Sequence, residues 1–523
     1  MTTERRHLES VDGIWARRIS WGIVALAALI AFVHFAGGRV LWVDEAMIAL
    51  NLRDLSWKQV VTRLEYAQMA PIGWLLGQKA LLELTGNLEY SLRIVSFLAW
   101  IGCLFLFRDL CFRRFSPFVA ACGLALFAFS AVLLKYAVEL KHYEIDVLVA
   151  TASLWAAMNI LSAGRRAWGS WIVFAIAALF GVFFSFGGLF AIAGSGLAIL
   201  VQSLKSGRRD GVLLLGAIGI LCSLIFAWLM LSFYRSMVAG SGLTEGGNDA
   251  FFNRTSYMPL PTSLEDLLWL PRWIWDFFLY AFTAGSRIGV TILIGIGVLA
   301  IARRQRELLF VTVGPLGVGL LASSVHAYPM FERLALFALP GLFLAATFAI
   351  AWITEKLSGH RMMPLALLPT ALIGPLGDIA YSMRLSPPYA NQDIRPVMEA
   401  LEREISPDDS IYVAGLAIPA WLLYRGHYGL QNHVWTAGHG DVVSWPCMVR
   451  GMPDLIPGQT AWFVVIQNRT ELAEDGFADS LALLGLVAKH EILAATDGAT
   501  LHRLRLSGQG RPLSALPDAE CRT

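Results

Sequence analysis

The stretch Leu41-Trp42-Val43-Asp44-Glu45-Ala46-Met47 puts two adjacent carboxylates just after the first long apolar run. A carboxylate within hydrogen-bond reach of a hydroxyl can act as a general base. Asp44 is the candidate for that role, and Glu45 either shares it or holds the local backbone. A second charged stretch follows at Lys135-Tyr136-Ala137-Val138-Glu139-Leu140-Lys141-His142-Tyr143-Glu144-Ile145-Asp146. If it is one helix, Glu139, His142 or Tyr143, and Asp146 share a face, and Lys135 covers part of it. A third, Ser324-Val325-His326-Ala327-Tyr328-Pro329-Met330-Phe331-Glu332-Arg333, adds His326, Tyr328 and Arg333. Arg333 sits at a helix start, where the macrodipole disfavours a cation, so an anionic partner is expected. Gln68 and Arg254 complete the set of candidate binding residues.

Each of these residues also has a plainer reading. Charges at helix ends commonly sit at the membrane interface. Lys135 or Lys141 can satisfy Glu139 and Asp146 internally, and Arg333 can snorkel. Against that, two carboxylates with several cations suit group transfer from an anionic lipid carrier. A sugar on a polyprenyl phosphate presents its anomeric carbon and phosphate at the headgroup layer. The acceptor hydroxyl needs a base. The phosphate is already a good leaving group, so it needs positive charge rather than a proton donor. Direct displacement inverts the anomeric carbon.

The elements that must position these residues are membrane helices. The chain is 56% hydrophobic and only 15% charged, against about 25% charged in a typical soluble domain. Net charge is +2, which gives no electrostatic case for nucleic acid. A span needs roughly 20 apolar residues. Eleven such runs are expected, near 19–37, 88–107, 116–136, 144–163, 168–186, 188–204, 211–233, 286–302, 308–325, 333–353 and 363–382. Phe186-Gly187-Gly188 reads as a tight turn between two of them. Residues 71–85 are too short to span and read as interfacial or re-entrant. Residues 271–285, with Trp273, Trp275 and Tyr280, read as interfacial.

The positive-inside rule orients the spans. The expected cytoplasmic segments are the amino-terminal tail, Arg108 with Arg113 and Arg114, Arg165 with Arg166, Lys205 with Arg208 and Arg209, Arg303 with Arg304 and Arg306, and Lys356 with Arg361. All are basic, and the alternation fails if 71–85 is a full span. Asp44, Glu45, Glu139, Lys141, Asp146, His326 and Arg333 then fall on the extracytoplasmic side. The stretch 1–20 reads as a cytoplasmic tail before an uncleaved first helix.

From about 385 the long apolar runs stop. Expected elements are helices over 393–405, 419–424 and 471–484, strands over 411–415 and 461–467, and a hairpin about Asp497-Gly498. The fold class is therefore an α-helical polytopic membrane protein, with a membrane domain over 1–384 and an extracytoplasmic α/β domain over 385–523. Six cysteines show no CxxC spacing, so no zinc or redox site is indicated. Pairing of Cys447 with Cys521 stays open.

In this order and topology the motifs resemble the GT-C membrane glycosyltransferases, in the bacterial branch related to protein O-mannosyltransferases and the lipid A aminoarabinose transferase. The residues that carry the resemblance are Asp44-Glu45, then Gln68-Met69-Ala70-Pro71-Ile72-Gly73-Trp74, then Glu139 after the third span, then His326-Ala327-Tyr328-Pro329 with Arg333. Asp393-Ile394-Arg395-Pro396-Val397 and Pro407-Asp408-Asp409-Ser410-Ile411-Tyr412 are similar to the start of the outer domain in that branch. The resemblance implies a bacterial inner-membrane enzyme that moves a sugar from a polyprenyl-phosphate donor to a lipid, glycan or protein acceptor. It implies Asp44 as base and Glu139 as a second acid, with Asp146 as the alternative. Lys141, Tyr143, Asp146, Gln68, His326, Tyr328, Arg333 and Arg254 would contact substrate. Aminoarabinose-transferase relatives carry a Lys just before the proline, where this chain has Ala70. The cation for the phosphate must then come from elsewhere, with Lys141 and Arg333 as candidates. Metal dependence differs among relatives; a divalent ion here would fall to Asp44 and Glu139.

Three other readings compete; one is a receptor-like protein whose outer domain binds ligand, which the embedded acid pair disfavours. A flippase for lipid-linked sugars would gather its ionisable residues at the midplane rather than at one face. A polysaccharide polymerase or ligase would use the same donors on the same side.

Overall fold

The computed structural model describes residues 3–163, 167–240, 256–282, 287–356, 375–377, 379–380, 392–438, 460–466, 488–496 and 498–506. The chain divides into two compact units. One comprises Met1–Gly37 and Ser56–Pro388; the other comprises Gly38–Leu55 and Tyr389–Thr523. Asp44 and Glu45 therefore group with the carboxyl-terminal residues rather than with the membrane helices.

The first unit is helical. Among the described residues, six helices are long and apolar enough to cross a bilayer: Gly13–Ala36, Leu88–Arg114, Tyr143–Ser162, Gly188–Lys205, Arg209–Ala239 and Glu332–Lys356. The chain is thus membrane-embedded. Other expected spans take a different form among the described residues. The run 116–136 breaks at Phe129-Ser130 into Pro117–Ala128 and Ala131–Tyr136. The run 308–325 breaks at Val313, two residues before Pro315, into Leu308–Thr312 and Gly314–Ser324, because a proline cannot continue the preceding ladder. Trp168–Phe184 and Arg287–Arg304 are shorter or less apolar helices. The run 363–382 lies almost wholly outside the described residues.

Small residues set the helix spacing. A Cβ on Gly297 would lie 1.8 Å from the Ala345 carbonyl oxygen, so Arg287–Arg304 packs directly on the backbone of Leu339–Lys356. The expected turn between Trp168–Phe184 and Gly188–Lys205 is present. A Cβ on Gly188 would sit 2.5 Å from Ser185 Oγ, and one on Gly187 would sit 2.6 Å from Phe337. Ile72–Thr85 is a short helix ended by Gly86 in the left-handed region. Leu264–Ala281 runs through Pro271, and its Trp273 indole donates to the Met330 carbonyl at 2.5 Å.

Among the described residues, the second unit carries a five-stranded sheet: β1 (Ser410–Val413), β2 (Trp435–Ala437), β3 (Thr460–Ile466), β4 (Ala488–Thr496) and β5 (Ala499–Leu506). Its order is β2-β1-β3-β5-β4; β1 is parallel to β2 and β3, and β5 is antiparallel to β3 and β4. The β4–β5 hairpin turns at the expected position. Arg395–Glu404 packs on β4 and β5, with Pro396 in its first turn. Val43–Asp54 packs on Ile418–Tyr424. The expected helix over 471–484 lies outside the described residues, as do Cys447 and Cys521. Cys103, Cys111, Cys122 and Cys222 are free.

Candidate functional site

In the second unit, Asp44 and Glu45 occupy the first turn of Val43–Asp54, where a helix favours negative charge. Their surroundings differ. Glu45 is fully buried, and its Oε2 accepts the Trp42 N–H at 3.3 Å, closing the helix start. Asp44 is half-buried. Residues from the far end of the sequence fasten the backbone around it. Leu41 N–H donates to the Tyr424 hydroxyl at 3.0 Å, and Val43 N–H donates to Gln392 Oε1 at 3.0 Å. Arg53 donates to the Leu422 carbonyl at the other end of the helix.

The first unit holds the rest of the sequence candidates. Residues 137–142 form a turn between two helices, and the second helix begins at Tyr143. The continuous helical face expected for Glu139, His142 and Asp146 does not form. The turn is pinned by Ser96, whose Oγ donates to the Glu139 and Lys141 carbonyls at 2.8 and 3.1 Å. The charged stretch is not a solvated loop, since Glu139, Lys141, His142, Glu144 and Asp146 are all buried. Lys141 Nζ donates to Gln68 Oε1 at 3.0 Å. Gln68 follows Tyr66 and Ala67, both in the left-handed region, so the chain bends sharply before Pro71.

Aromatic groups connect this turn to its neighbours. The Tyr136 and Tyr280 hydroxyls share a hydrogen bond of 2.5 Å, and the charges of Glu139 and Arg333 both act on that pair. The Arg333 guanidinium lies 5.9 Å from the Tyr143 ring centre, and Tyr143 stands edge-on to Tyr136. His142 packs against Trp74, Tyr143 and Phe186.

Asp146 is bonded to the 185–188 turn. Its Oδ1 accepts Ser185 Oγ at 2.5 Å and Phe186 N–H at 3.1 Å, and its Oδ2 is 3.8 Å from His142 Nε2. It therefore anchors the 185–188 turn. Tyr328 donates to the Leu334 carbonyl at 2.9 Å. Burial, then the Asp146 and Tyr143 charges, push its hydroxyl well above the usual tyrosine range.

Thus Gln68, Glu139, Lys141, Tyr143, Asp146, Tyr328 and Arg333 come together in the first unit. His326 is exposed and stacks on Tyr257 at 4.8 Å. Arg254 lies outside the described residues. Nothing in the sequence marks Tyr280, Ser185, Gln392 and Tyr424 as site-forming; only the folded chain shows what they hold. Glu144 is fully buried, and neither carboxylate oxygen has a hydrogen-bond partner among the described residues. Among the described residues, no group of three or more His, Cys, Asp or Glu side chains is placed to hold a metal ion.

No protein-family model and no curated protein matches the sequence. Solved structures do match the fold. ArnT from Cupriavidus metallidurans in the apo state aligns at 14% identity and a TM-score of 0.51, over 92% of this chain and 97% of that one. The same protein bound to undecaprenyl phosphate aligns with the same identity, coverage and TM-score. The oligosaccharyltransferase AglB from Archaeoglobus fulgidus, in complex with an inhibitory peptide and a dolichol-phosphate, aligns at 12% identity over 79% of this chain and 60% of that one, with a TM-score of 0.44. The chain has the fold that ArnT shows.

Proposed function

We propose that this protein transfers a sugar from a polyprenyl-phosphate donor to an acceptor hydroxyl, with Asp44 as general base and inversion at the anomeric carbon. The observation that carries this reading is the fold likeness over nearly the full length of ArnT, a protein solved with undecaprenyl phosphate bound. The difference between the two carboxylates supports the choice of base. Glu45 is buried and closes the helix start, whereas Asp44 is half-buried on a firmly held first turn.

Asp44 takes the proton from the acceptor O–H. The acceptor oxygen forms a bond to the anomeric carbon as the bond from that carbon to the phosphate oxygen breaks, and the carrier leaves as a phosphate anion. Lys141 and Arg333 supply the positive charge it needs. Gln68 orients the Lys141 ammonium, and Tyr143 backs Arg333. Glu139 is the second acid and positions the acceptor. Asp146 acts indirectly, by holding the 185–188 turn, and Tyr328 ties the segment before Glu332–Lys356. The reaction takes place on the extracytoplasmic face of the bacterial inner membrane. Eleven spans and an outer domain from about 385 belong to this reading.

The test is to incubate the purified protein in detergent with a radiolabelled sugar on polyprenyl phosphate and an envelope lipid extract. Label should move to an acceptor with release of polyprenyl phosphate. Movement of intact donor across vesicles without release would instead establish a flippase.

A further inference from the structure

Two arginines meet where the first two spans of the first unit come together. Gly13–Ala36 carries Arg17 near its start, Leu88–Arg114 carries Arg108 near its end, and the two helices pack on each other. Both guanidiniums approach one ring: Arg17 lies 5.7 Å and Arg108 5.0 Å from the centre of Phe112. The Arg17 charge acts on Arg108. Arg108 is held in place. Its guanidinium sits 3.8 Å from the Trp21 ring centre, and its Nε donates to Ser20 Oγ at 2.9 Å. Ser20 Oγ donates in turn to the Arg17 carbonyl at 2.7 Å. Among the described residues, the Arg108 Nη groups make no hydrogen bond.

Counter-charge is missing at this helix end and present at others. Asp109 pairs with Arg113 at 2.5 Å and accepts the Trp155 indole N–H at 2.7 Å. Elsewhere Lys205 pairs with Glu307, and Arg304 pairs with Glu355. Among the described residues, neither Arg17 nor Arg108 has an ion-pair partner. Two like charges so placed repel, and an anion between them removes the repulsion. Away from the arginines, the exposed side chains on the same faces are apolar. Trp21 and Phe32 are three turns apart on one span, and Phe105 and Leu98 are two turns apart on the other; all four are exposed. Trp21 meets Phe105 at 5.8 Å and Phe32 meets Phe97 at 6.3 Å between ring centres, so the two spans present one apolar strip. Exposed apolar side chains along two bilayer-crossing helices lie against acyl chains.

We propose that this end of the two spans binds an anionic phospholipid, with its phosphodiester on the Arg108 Nη groups and Arg17, and its acyl chains along the strip that runs from Trp21 and Phe105. A guanidinium fork matches a pair of phosphate oxygens, and Arg108 is already oriented by Trp21 and Ser20. Asp109 is engaged with Arg113 and Trp155, so the ammonium of a zwitterionic lipid gains nothing from it. The site therefore selects a headgroup of net negative charge.

Native mass spectrometry of the full chain, exchanged into equimolar phosphatidylglycerol, phosphatidylethanolamine and phosphatidylcholine, tests this. Phosphatidylglycerol should be retained roughly fivefold over each of the others, the scale of one basic residue acting near an anionic lipid. Arg17→Gln and Arg108→Gln should each bring that ratio to within about twofold of unity. Arg304→Gln, at an arginine paired with Glu355, should leave it unchanged and so separates this site from a general effect of basic charge. Arg17 is exposed, so its variant should fold, and a wild-type gel-filtration profile checks this. Soluble glycerophosphoglycerol should fail to displace the lipid, because it lacks the chains. Equal retention of all three lipids, an unchanged ratio in either Arg17→Gln or Arg108→Gln, an equal fall in Arg304→Gln, or displacement by glycerophosphoglycerol would each overturn the proposal.

Discussion

Replacing Asp146 separates a residue that holds the site from one that touches substrate. Asp146 is 2% exposed, and its Oδ1 accepts both Ser185 Oγ and Phe186 N–H. A hydrogen bond contributes roughly 0.5–1.5 kcal/mol net, and each buried polar group left without its partner costs roughly 1–3 kcal/mol. Asp146→Ala removes two such bonds and strands a buried amide and hydroxyl, so a loss of about 3–5 kcal/mol is expected. Asp146→Asn keeps an acceptor oxygen in place, so its cost should stay below about 1.5 kcal/mol. The assay is the unfolding midpoint in detergent, followed by steady-state transfer at varied donor concentration. Asp146→Asn should keep its fold and turnover within about tenfold of wild type, with donor KM unchanged. If Asp146→Asn folds normally but loses turnover a hundredfold or more, its charge acts on substrate, and the structural assignment is wrong.

Further predictions follow from the same geometry. Lys141→Met should raise donor KM roughly 10- to 100-fold with a smaller effect on kcat, since one buried charge-assisted contact is lost; a normal KM would remove Lys141 from the phosphate site. Tyr280→Phe should cost about 1–3 kcal/mol, because the buried Tyr136 hydroxyl loses its partner; no change in the unfolding midpoint would count against that pair. In the second unit, His490 Nε2 and His502 Nδ1 lie 2.9 Å apart on β4 and β5. Burial and the His490 charge push His502 down to about 3, from an ordinary value of about 6.5. The unfolded chain therefore binds the extra proton first, and stability falls as pH drops from about 6.5 toward 3, by about 3 kcal/mol at pH 4. His502→Leu should flatten that dependence in pH-titrated unfolding, and an unaltered slope would place its origin elsewhere.

Hydrophobic run length and turn residues made much of the fold legible. Six runs became helices of spanning length, the Phe186-Gly187-Gly188 turn formed where glycine permits close approach, and the β4–β5 hairpin closed about Gly498. Run length missed the breaks at Phe129-Ser130 and Val313, because local backbone geometry interrupts a stretch that hydropathy reads as continuous. The charged stretch 135–146 is legible in the sequence, but its backbone is a turn followed by a helix rather than one helical face. Ser96 holds 139–141 in a turn, and no pattern in the stretch itself names a serine some forty residues upstream. Similarly, Tyr424 and Gln392 reach Leu41 and Val43 across more than three hundred residues. Such long-range donors and acceptors leave no periodic trace. Nothing in the sequence sets Glu144 apart from its neighbours, and only burial distinguishes it.

The central claim is that Asp44, and not Glu45, takes the proton. The most direct measurement is single-turnover transfer of labelled sugar by Asp44→Asn at saturating donor, with the fold and donor binding checked beside wild type. A loss of about a hundredfold to ten-thousandfold in rate with donor affinity intact is predicted, since a general base contributes typically 10²–10⁴-fold. Transfer at a rate close to wild type would contradict it.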